Sequence, residues 1–407
     1  MLPQINGSAH PKFEKVSQVF FENFSLRGEV GASLCVYHRG ERVIDLWGGS
    51  VDLKGEIPWT ADDLVTVFSV TKGIVATAFL MLVDQGIISY DDPIAHYWPK
   101  LTSNEAEIKF RHERANLTIA DLLNHRSGLL GLRTELSLDT LENEAELLER
   151  LESEPLHWMP GSKQGYHGIT FGLYAGALYK KITGKSIGEA LREEIKREES
   201  FDLYLGLNTD ERQRLSTRLR SIYPNQLSDV LGGIVPNMLF SKSREGRFFR
   251  SALNRGSSTA LAFGQPFALG AKGLHNFNTD RVRALELPWA NAQGSARGVA
   301  TLYKKLLTPG DLVKRTTLDW VIPRRSWTEL DEVIRKPMGY SFGFVKEELG
   351  IFSPHPEAFG HPGAGGALGY ADPTHQLCIG YVMNRMGYHV RSPRALALCK
   401  AIYDCLA

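Results

Sequence analysis

This chain is short of the features that mark specialised protein classes, and each shortage removes a possibility. Charge of one sign is missing: 47 Lys and Arg face 46 Asp and Glu, a formal net charge of +1. Without a basic excess or an acidic tail, nothing in the balance points to a nucleic-acid partner. Cysteine is scarce. Cys35, Cys378, Cys399 and Cys405 show no C-x-x-C and no Cys/His metal spacing, so they read as buried thiols and not as a disulfide frame or a metal site. The most apolar run, residues 73–83, stops at Asp84, short of the roughly 20 residues that span a bilayer. The first eleven residues lack a basic region followed by an apolar one, which predicts no cleaved secretion signal. Repeats and low-complexity segments are absent. What remains is a soluble, cytoplasmic protein with no nucleic-acid or membrane partner. Its 407 residues suffice for two domains or for one large core with an insertion; its oligomeric state leaves no mark on the sequence.

What is there divides by period. Phe13, Val16, Val19, Phe20 and Phe24 recur at helical spacing and stop at Arg27-Gly28. Residues 32–38 and 42–47 are β-rich runs joined at Arg39-Gly40-Glu41, a hairpin signal. A hairpin alone is not stable, and its partners stand at the other end of the chain, in residues 340–345, 367–371 and 376–384, before a helix over about 393–406. The expected fold is therefore α+β. An antiparallel sheet built from the N- and C-terminal segments (1–75 and 291–407) is flanked by helices, and a mainly helical domain spans 76–290. Thr118-x-x-Asp121 and Ser186-x-x-Glu189 read as helix starts, with Gly128 and Gly184 as stops. Residues 205–290 carry no clear period and are expected to form an irregular lobe over the site. The mixed charges of residues 192–199 read as a solvated helix face.

Ser69-Val70-Thr71-Lys72 precedes the apolar run at once, and no other serine here has a lysine three positions on. On a helix, residues three apart share a face, which sets Lys72 beside the Ser69 hydroxyl. A serine needs a neighbour to take its proton, and a lysine does so only when burial lowers its pKa from about 10.4. Tyr166, in the Pro/Gly-rich segment 159–168, is the candidate for passing that proton on; its phenol would act as a phenolate if Lys72 supplied a nearby cation. The third element is Phe359-Gly360-His361-Pro362-Gly363-Ala364-Gly365-Gly366, where glycine lets a ligand approach the backbone and a free N–H could join that of Ser69 at an oxyanion. His355, His361 and His125 show no ligand spacing, so no metal is expected. No G-x-S-x-G occurs, which excludes the nucleophile elbow.

In order and spacing, Ser69-x-x-Lys72, the loop with Tyr166 and His361-Pro362-Gly363-Ala364 resemble the serine β-lactamase and penicillin-binding protein superfamily. Within it they most resemble the class C β-lactamase-like carboxylesterases, family VIII. Asp45-Leu46-Trp47-Gly48-Gly49, residues 122–129, Gly165-Tyr166-His167-Gly168-Ile169-Thr170 and residues 380–386 extend the likeness over most of the chain. The resemblance implies a β-lactamase/transpeptidase-like fold with a cleft between sheet and helices. It implies Ser69 as nucleophile, Lys72 and Tyr166 as the acid/base pair, and the N–H groups of Ser69 and Ala364 as the oxyanion hole. His361, Gly363, Gly168 and His167 would contact the substrate.

Two departures bear on that substrate. Penicillin-binding members place a lysine where this chain has His361, and there it binds a carboxylate; a largely neutral histidine does so less well. They also carry an asparagine where Gly168 offers no side chain. The expected activity is hydrolysis of small, neutral, short-chain esters through an acyl-enzyme, with no cofactor. A β-lactamase or D-amino-acid peptidase would use the same residues with a carboxylate anchor from Arg385 or Arg297. A transesterase, or a non-catalytic scaffold or sensor, are the further alternatives.

Overall fold

The two ends of the chain meet in the middle of one sheet. In the computed structural model, which describes residues 4–103, 109–195, 201–224, 230–240, 243–263, 273–346 and 350–407, strand Gly31–His38 pairs on one side with Glu41–Gly49 and on the other with Leu377–Met383. Cys35 lies opposite both Asp45 and Gly380. The nine strands are ordered Ile5–Ala9, Glu41–Gly49, Gly31–His38, Leu377–Met383, Leu368–Asp372, Phe359–Pro362, Phe344–Lys346, Met338–Ser341 and Ser326–Thr328, every pairing antiparallel. Buried Asn384 locks the junction: its amide oxygen accepts from the Gly31 N–H, and its nitrogen donates to Ser50 and Val51 carbonyls.

Helices cover this sheet. Ala296–Leu307 lies on the three strands around the junction, so near that a Cβ on Gly380 would sit 2.1 Å from the Ala296 carbonyl oxygen. The N-terminal helix Glu14–Leu26 packs against the C-terminal helix Pro393–Asp404. Thr71–Asp84 is apolar all round because it is enclosed all round: residues 71–82 are buried, as a central helix must be. Thr170–Thr183 packs on it and ends at Gly184 in the left-handed region, φ +76. Capping boxes start the helices at Thr118, Ser186 and Asn208. Among the described residues no helix is long and apolar enough to cross a membrane. The four thiols are free and three of them buried.

Several local expectations need correction. Residues 340–345 are not one strand: Phe342 (φ +46) and Gly343 (φ +96) turn the chain back on itself, while flanking aromatics imitate an unbroken run. Strands Ile5–Ala9 and Ser326–Thr328 have no apolar alternation to betray them, both being sheet edges. Gly128 is not the stop of its helix. Ile119–Leu123 ends at Asn124, and His125 takes the positive φ of +58. The described part of the stretch 205–290 is not irregular throughout: it carries the short helices Thr209–Leu215, Val235–Phe240, Arg244–Leu253, Ser258–Phe263 and Asp280–Ala284, most of them too brief to show a period. Residues 225–229, 241–242 and 264–272 of it lie outside the described residues, as do 196–199 of the expected charged helix face. Within that face, Arg192 is not simply solvated; it pairs with Glu211 at 3.1 Å.

Candidate active site

Ser69 stands on a strained step. Strand Val65–Thr66 runs into a tight turn, Phe68–Val70, that opens the buried helix Thr71–Asp84. Phe68 takes φ +47 there, a conformation that costs a residue with a Cβ about 1–3 kcal/mol. The buried Phe68 ring, edge-on to Phe277 at 5.3 Å, helps hold it. One residue on, the Ser69 side chain faces the cleft, and the helix brings Lys72 Nζ to 3.3 Å from Ser69 Oγ. The Tyr166 hydroxyl donates to the same oxygen over 2.9 Å.

Burial sets the charge of this trio. Lys72 is fully enclosed, and the loss of water alone holds its ammonium well below the usual lysine range. Two main-chain carbonyls, Gly168 at 2.9 Å and Trp289 at 3.0 Å, accept from Nζ. With two hydrogens on these carbonyls, a neutral Nζ turns its lone pair to Ser69, whereas a charged one donates its third hydrogen there. Burial pushes the Tyr166 phenol upward and the Lys72 ammonium downward, both directions opposed to the expected phenolate beside a lysine cation. Lys72 Nζ nonetheless lies 4.9 Å from the Tyr166 ring centre.

Tyr166 is fixed from behind. Its N–H donates to Asp331 Oδ1 at 3.0 Å, and the same oxygen accepts from Val333 and Ile334, both at 2.9 Å. Asp331 is fully buried, and burial lifts its carboxyl to about 6. Neither Asp331 nor the Trp289 carbonyl has a sequence signature: one is a lone acid in a loop, the other a backbone atom far along the chain.

The late glycine segment closes the site. Gly363 has no room for a side chain, since a Cβ would lie 2.4 Å from the Val67 carbonyl oxygen, and this close approach brings Ala364 to the cleft beside Ser69. The Gly363 N–H is spent on the Ala367 carbonyl at 2.7 Å. Those of Ser69 and Ala364 have no acceptor among the described residues, as an oxyanion pair requires. Buried Arg394 holds the Gly365 carbonyl at 3.1 Å and pairs with Glu29 at 2.6 Å, bracing this loop.

The expected substrate contacts separate. His361 and Gly363 line the cleft. His361 is only 2% exposed; its Nδ1–H meets the Pro362 carbonyl at 2.8 Å, its Nε2 has no partner, and burial drives its pKa down to about 3. His167 does not face the cleft. It is buried between Ser127 Oγ (2.9 Å) and the Gly165 carbonyl (2.6 Å), a packing histidine. Gly168 does not reach substrate either: its carbonyl holds Lys72, and a Cβ on it would lie 2.7 Å from the Phe263 ring. Phe263 fills the space that a side chain at 168 would need. The anchors suggested by sequence lie elsewhere, Arg297 on Asp45 and Asp62, Arg385 on the Gly28 carbonyl. The cationic residues that do line the cleft are Lys336 and Arg391. Its remaining wall is mostly apolar, with Phe248, Phe263, Ile334, Met338 and Val345 beside Tyr388 and His389, around about 270 Å³.

The family described as Beta-lactamase matches residues 20–400. The chain is 30% identical over 394 residues to Esterase/beta-lactamase LipL of Mycobacterium tuberculosis (strain ATCC 25618 / H37Rv), covering 94% of this chain and 83% of that protein. It is similar to the crystal structure of a family VIII carboxylesterase, with TM-score 0.83, 30% identity and coverage of 99% and 100%. A penicillin-binding protein homologue from Caulobacter crescentus follows with TM-score 0.82, 28% identity and the same coverage.

Proposed function

The chain belongs to the Beta-lactamase family and is a hydrolase of the esterase/beta-lactamase type; from that premise we propose that it is a serine carboxylesterase, cleaving small neutral esters through an acyl-enzyme on Ser69. The observation that carries the reading is the Ser69–Lys72–Tyr166 trio, with Lys72 buried, at a largely apolar cleft. In this reading Lys72, its ammonium disfavoured by burial, presents a lone pair to Ser69 Oγ at 3.3 Å. As Oγ attacks the ester carbonyl, its proton moves to Lys72 and the carbonyl oxygen becomes an oxyanion beside the Ser69 and Ala364 N–H groups. Tyr166 protonates the departing alkoxide and recovers a proton from Lys72. Water then takes the place of the alcohol and the steps run in reverse.

Recognition favours an uncharged substrate. A carboxylate held by an ammonium gains charge-assisted bonding of about 1.5–3 kcal/mol, which neutral His361 does not offer, and Phe263 excludes the amide that a side chain at 168 would bring. Lys336 and Arg391 support a second reading, a β-lactamase or D-amino-acid peptidase with its anchor on that wall. Hydrolysis of p-nitrophenyl butyrate and of nitrocefin under the same conditions separates the two. The ester is expected to have the higher kcat/KM by about two powers of ten, and parity or a preference for nitrocefin overturns the esterase reading. Labelling by a fluorophosphonate, lost in Ser69→Ala, distinguishes either enzyme from a non-catalytic scaffold.

A further inference from the structure

Outside the cleft, the fold assembles a group that the sequence order hides. His355 lies in the loop before strand Phe359–Pro362; Asp372 ends strand Leu368–Asp372, and His375 follows in the turn to Leu377–Met383. One ring nitrogen from each histidine and a carboxylate oxygen of Asp372 lie within 4.8 Å of one another. The two imidazoles overlap with ring centres 4.5 Å apart.

Two of these nitrogens are unaccounted for. His355 Nε2 and His375 Nδ1 are both buried atoms with no hydrogen-bond partner among the described residues, and the second lies 3.7 Å from Asp372 Oδ2, too far for a hydrogen bond. Leaving buried polar atoms unpaired is costly, and two of them belong to this one group. Asp372 is itself fully buried and rigidly set. Its Oδ2 accepts from the hydroxyls of Ser353 at 3.1 Å and Tyr403 at 2.7 Å, its Oδ1 from the N–H groups of Thr374 at 2.9 Å and His375 at 3.3 Å. Hydroxyl and amide donors behind a carboxylate are the outer support that a metal ligand needs.

We infer that His355, His375 and Asp372 bind a first-row divalent transition metal, with Zn²⁺ as the leading candidate. Two imidazole nitrogens and one carboxylate suit zinc and its neighbours, whereas calcium and magnesium take oxygen ligands. Three protein ligands leave a fourth position, and both histidines are partly exposed. The ion would cross-link the loop 353–355 to the turn 372–375, and would touch nothing in the Ser69 trio. This departs from the expectation, drawn from spacing, that His355 has no metal role.

The test uses the full chain, stripped with a chelator and titrated calorimetrically with Zn²⁺. One equivalent is expected to bind at micromolar Kd or tighter, with a rise in Tm of roughly 2 °C or more at saturation. His355→Gln and His375→Gln should each weaken binding at least about tenfold and leave ester hydrolysis at the wild-type rate. Failure of the wild type to bind, or undiminished affinity in both variants, overturns the assignment. Should the variants fold poorly, anomalous scattering from Zn²⁺-soaked wild-type crystals decides: a peak between the three ligands upholds the site, and a peak elsewhere or none refutes it.

Discussion

The two walls of the cleft are held in opposite ways. On one, every reacting atom is tied to long buried elements: Ser69 and Lys72 to helix Thr71–Asp84, Tyr166 to Asp331, and Lys72 to two carbonyls from distant turns. On the other, Phe248 and Phe263 come from short helices: Arg244–Leu253 packs on Val235–Phe240 and Ser258–Phe263, and Ser258–Phe263 is tied to the Val333 carbonyl through Thr259. The first wall has no slack, because the buried Nζ of Lys72 must keep the Gly168 and Trp289 carbonyls while it serves Ser69. The second need only be apolar and of the right size, and can be rebuilt without disturbing proton transfer. Chemistry and selectivity are thus carried by separate parts of one site.

The sharpest way to break this division is to remove the nucleophile. Ser69→Ala is expected to abolish p-nitrophenyl butyrate hydrolysis while circular dichroism and Tm stay near wild type; a folded variant with substantial activity would sink the assignment. Next come Lys72→Ala and Tyr166→Phe, each expected to lower kcat by at least about 10²-fold. As members of one proton path they should combine far less than additively. A double variant showing the full product of both losses would mean that the two act independently.

This rigid wall was the legible one, and the reason is physical. Ser69 and Lys72 meet through the pitch of one helix, and the glycines of 363–366 announce a close backbone approach; both are local properties. Trp289, Asp331 and Phe263 act through contacts with no local trace, since a carbonyl has no side chain to read and a lone acid or aromatic in a loop resembles any other. His167 shows the converse error. Its neighbour Tyr166 points into the cleft while its own ring turns into the protein toward Ser127, a reversal that adjacency in sequence conceals. In the sheet, the central hairpin was readable from its two β-rich runs and the turn at Arg39-Gly40-Glu41, and the polar edges were not.

A smaller effect separates two buried titratable groups by sign. His361 has a folded pKa of about 3 against about 6.5 when unfolded, so its contribution to stability is present above pH 6.5 and is lost as pH falls toward 3. Asp331 is raised to about 6 from about 3.9 unfolded, so the folded state gains as pH falls through 6 toward 4. Between pH 7 and pH 5 the first costs about 2 kcal/mol and the second returns about 1 kcal/mol. His361→Gln should therefore lose less stability than wild type between those pH values, and Asp331→Asn should lose more. Urea unfolding at pH 7 and pH 5 measures both differences, and the same sign of change in the two variants would contradict the burial argument.

The smallest expected effect tests the adaptable wall. Phe263 sits over Tyr166 with ring centres 6.0 Å apart and fills the space beside Gly168. Phe263→Ala opens that space, and a methylene admitted to an apolar pocket is worth about 1–3 kcal/mol. The ratio of kcat/KM for p-nitrophenyl decanoate over butyrate should therefore rise about tenfold, while kcat for the acetate stays within about twofold because Ser69, Lys72 and Tyr166 keep all their partners. The same opening makes a second change tolerable. Gly168→Asn alone meets the Phe263 ring at 2.7 Å and should lose stability and activity. In the Phe263→Ala background the new amide has room, and nitrocefin turnover should rise relative to butyrate. If Phe263→Ala instead lowers kcat for acetate as strongly as Tyr166→Phe does, the ring is part of the proton-transfer wall and the two walls are not separable.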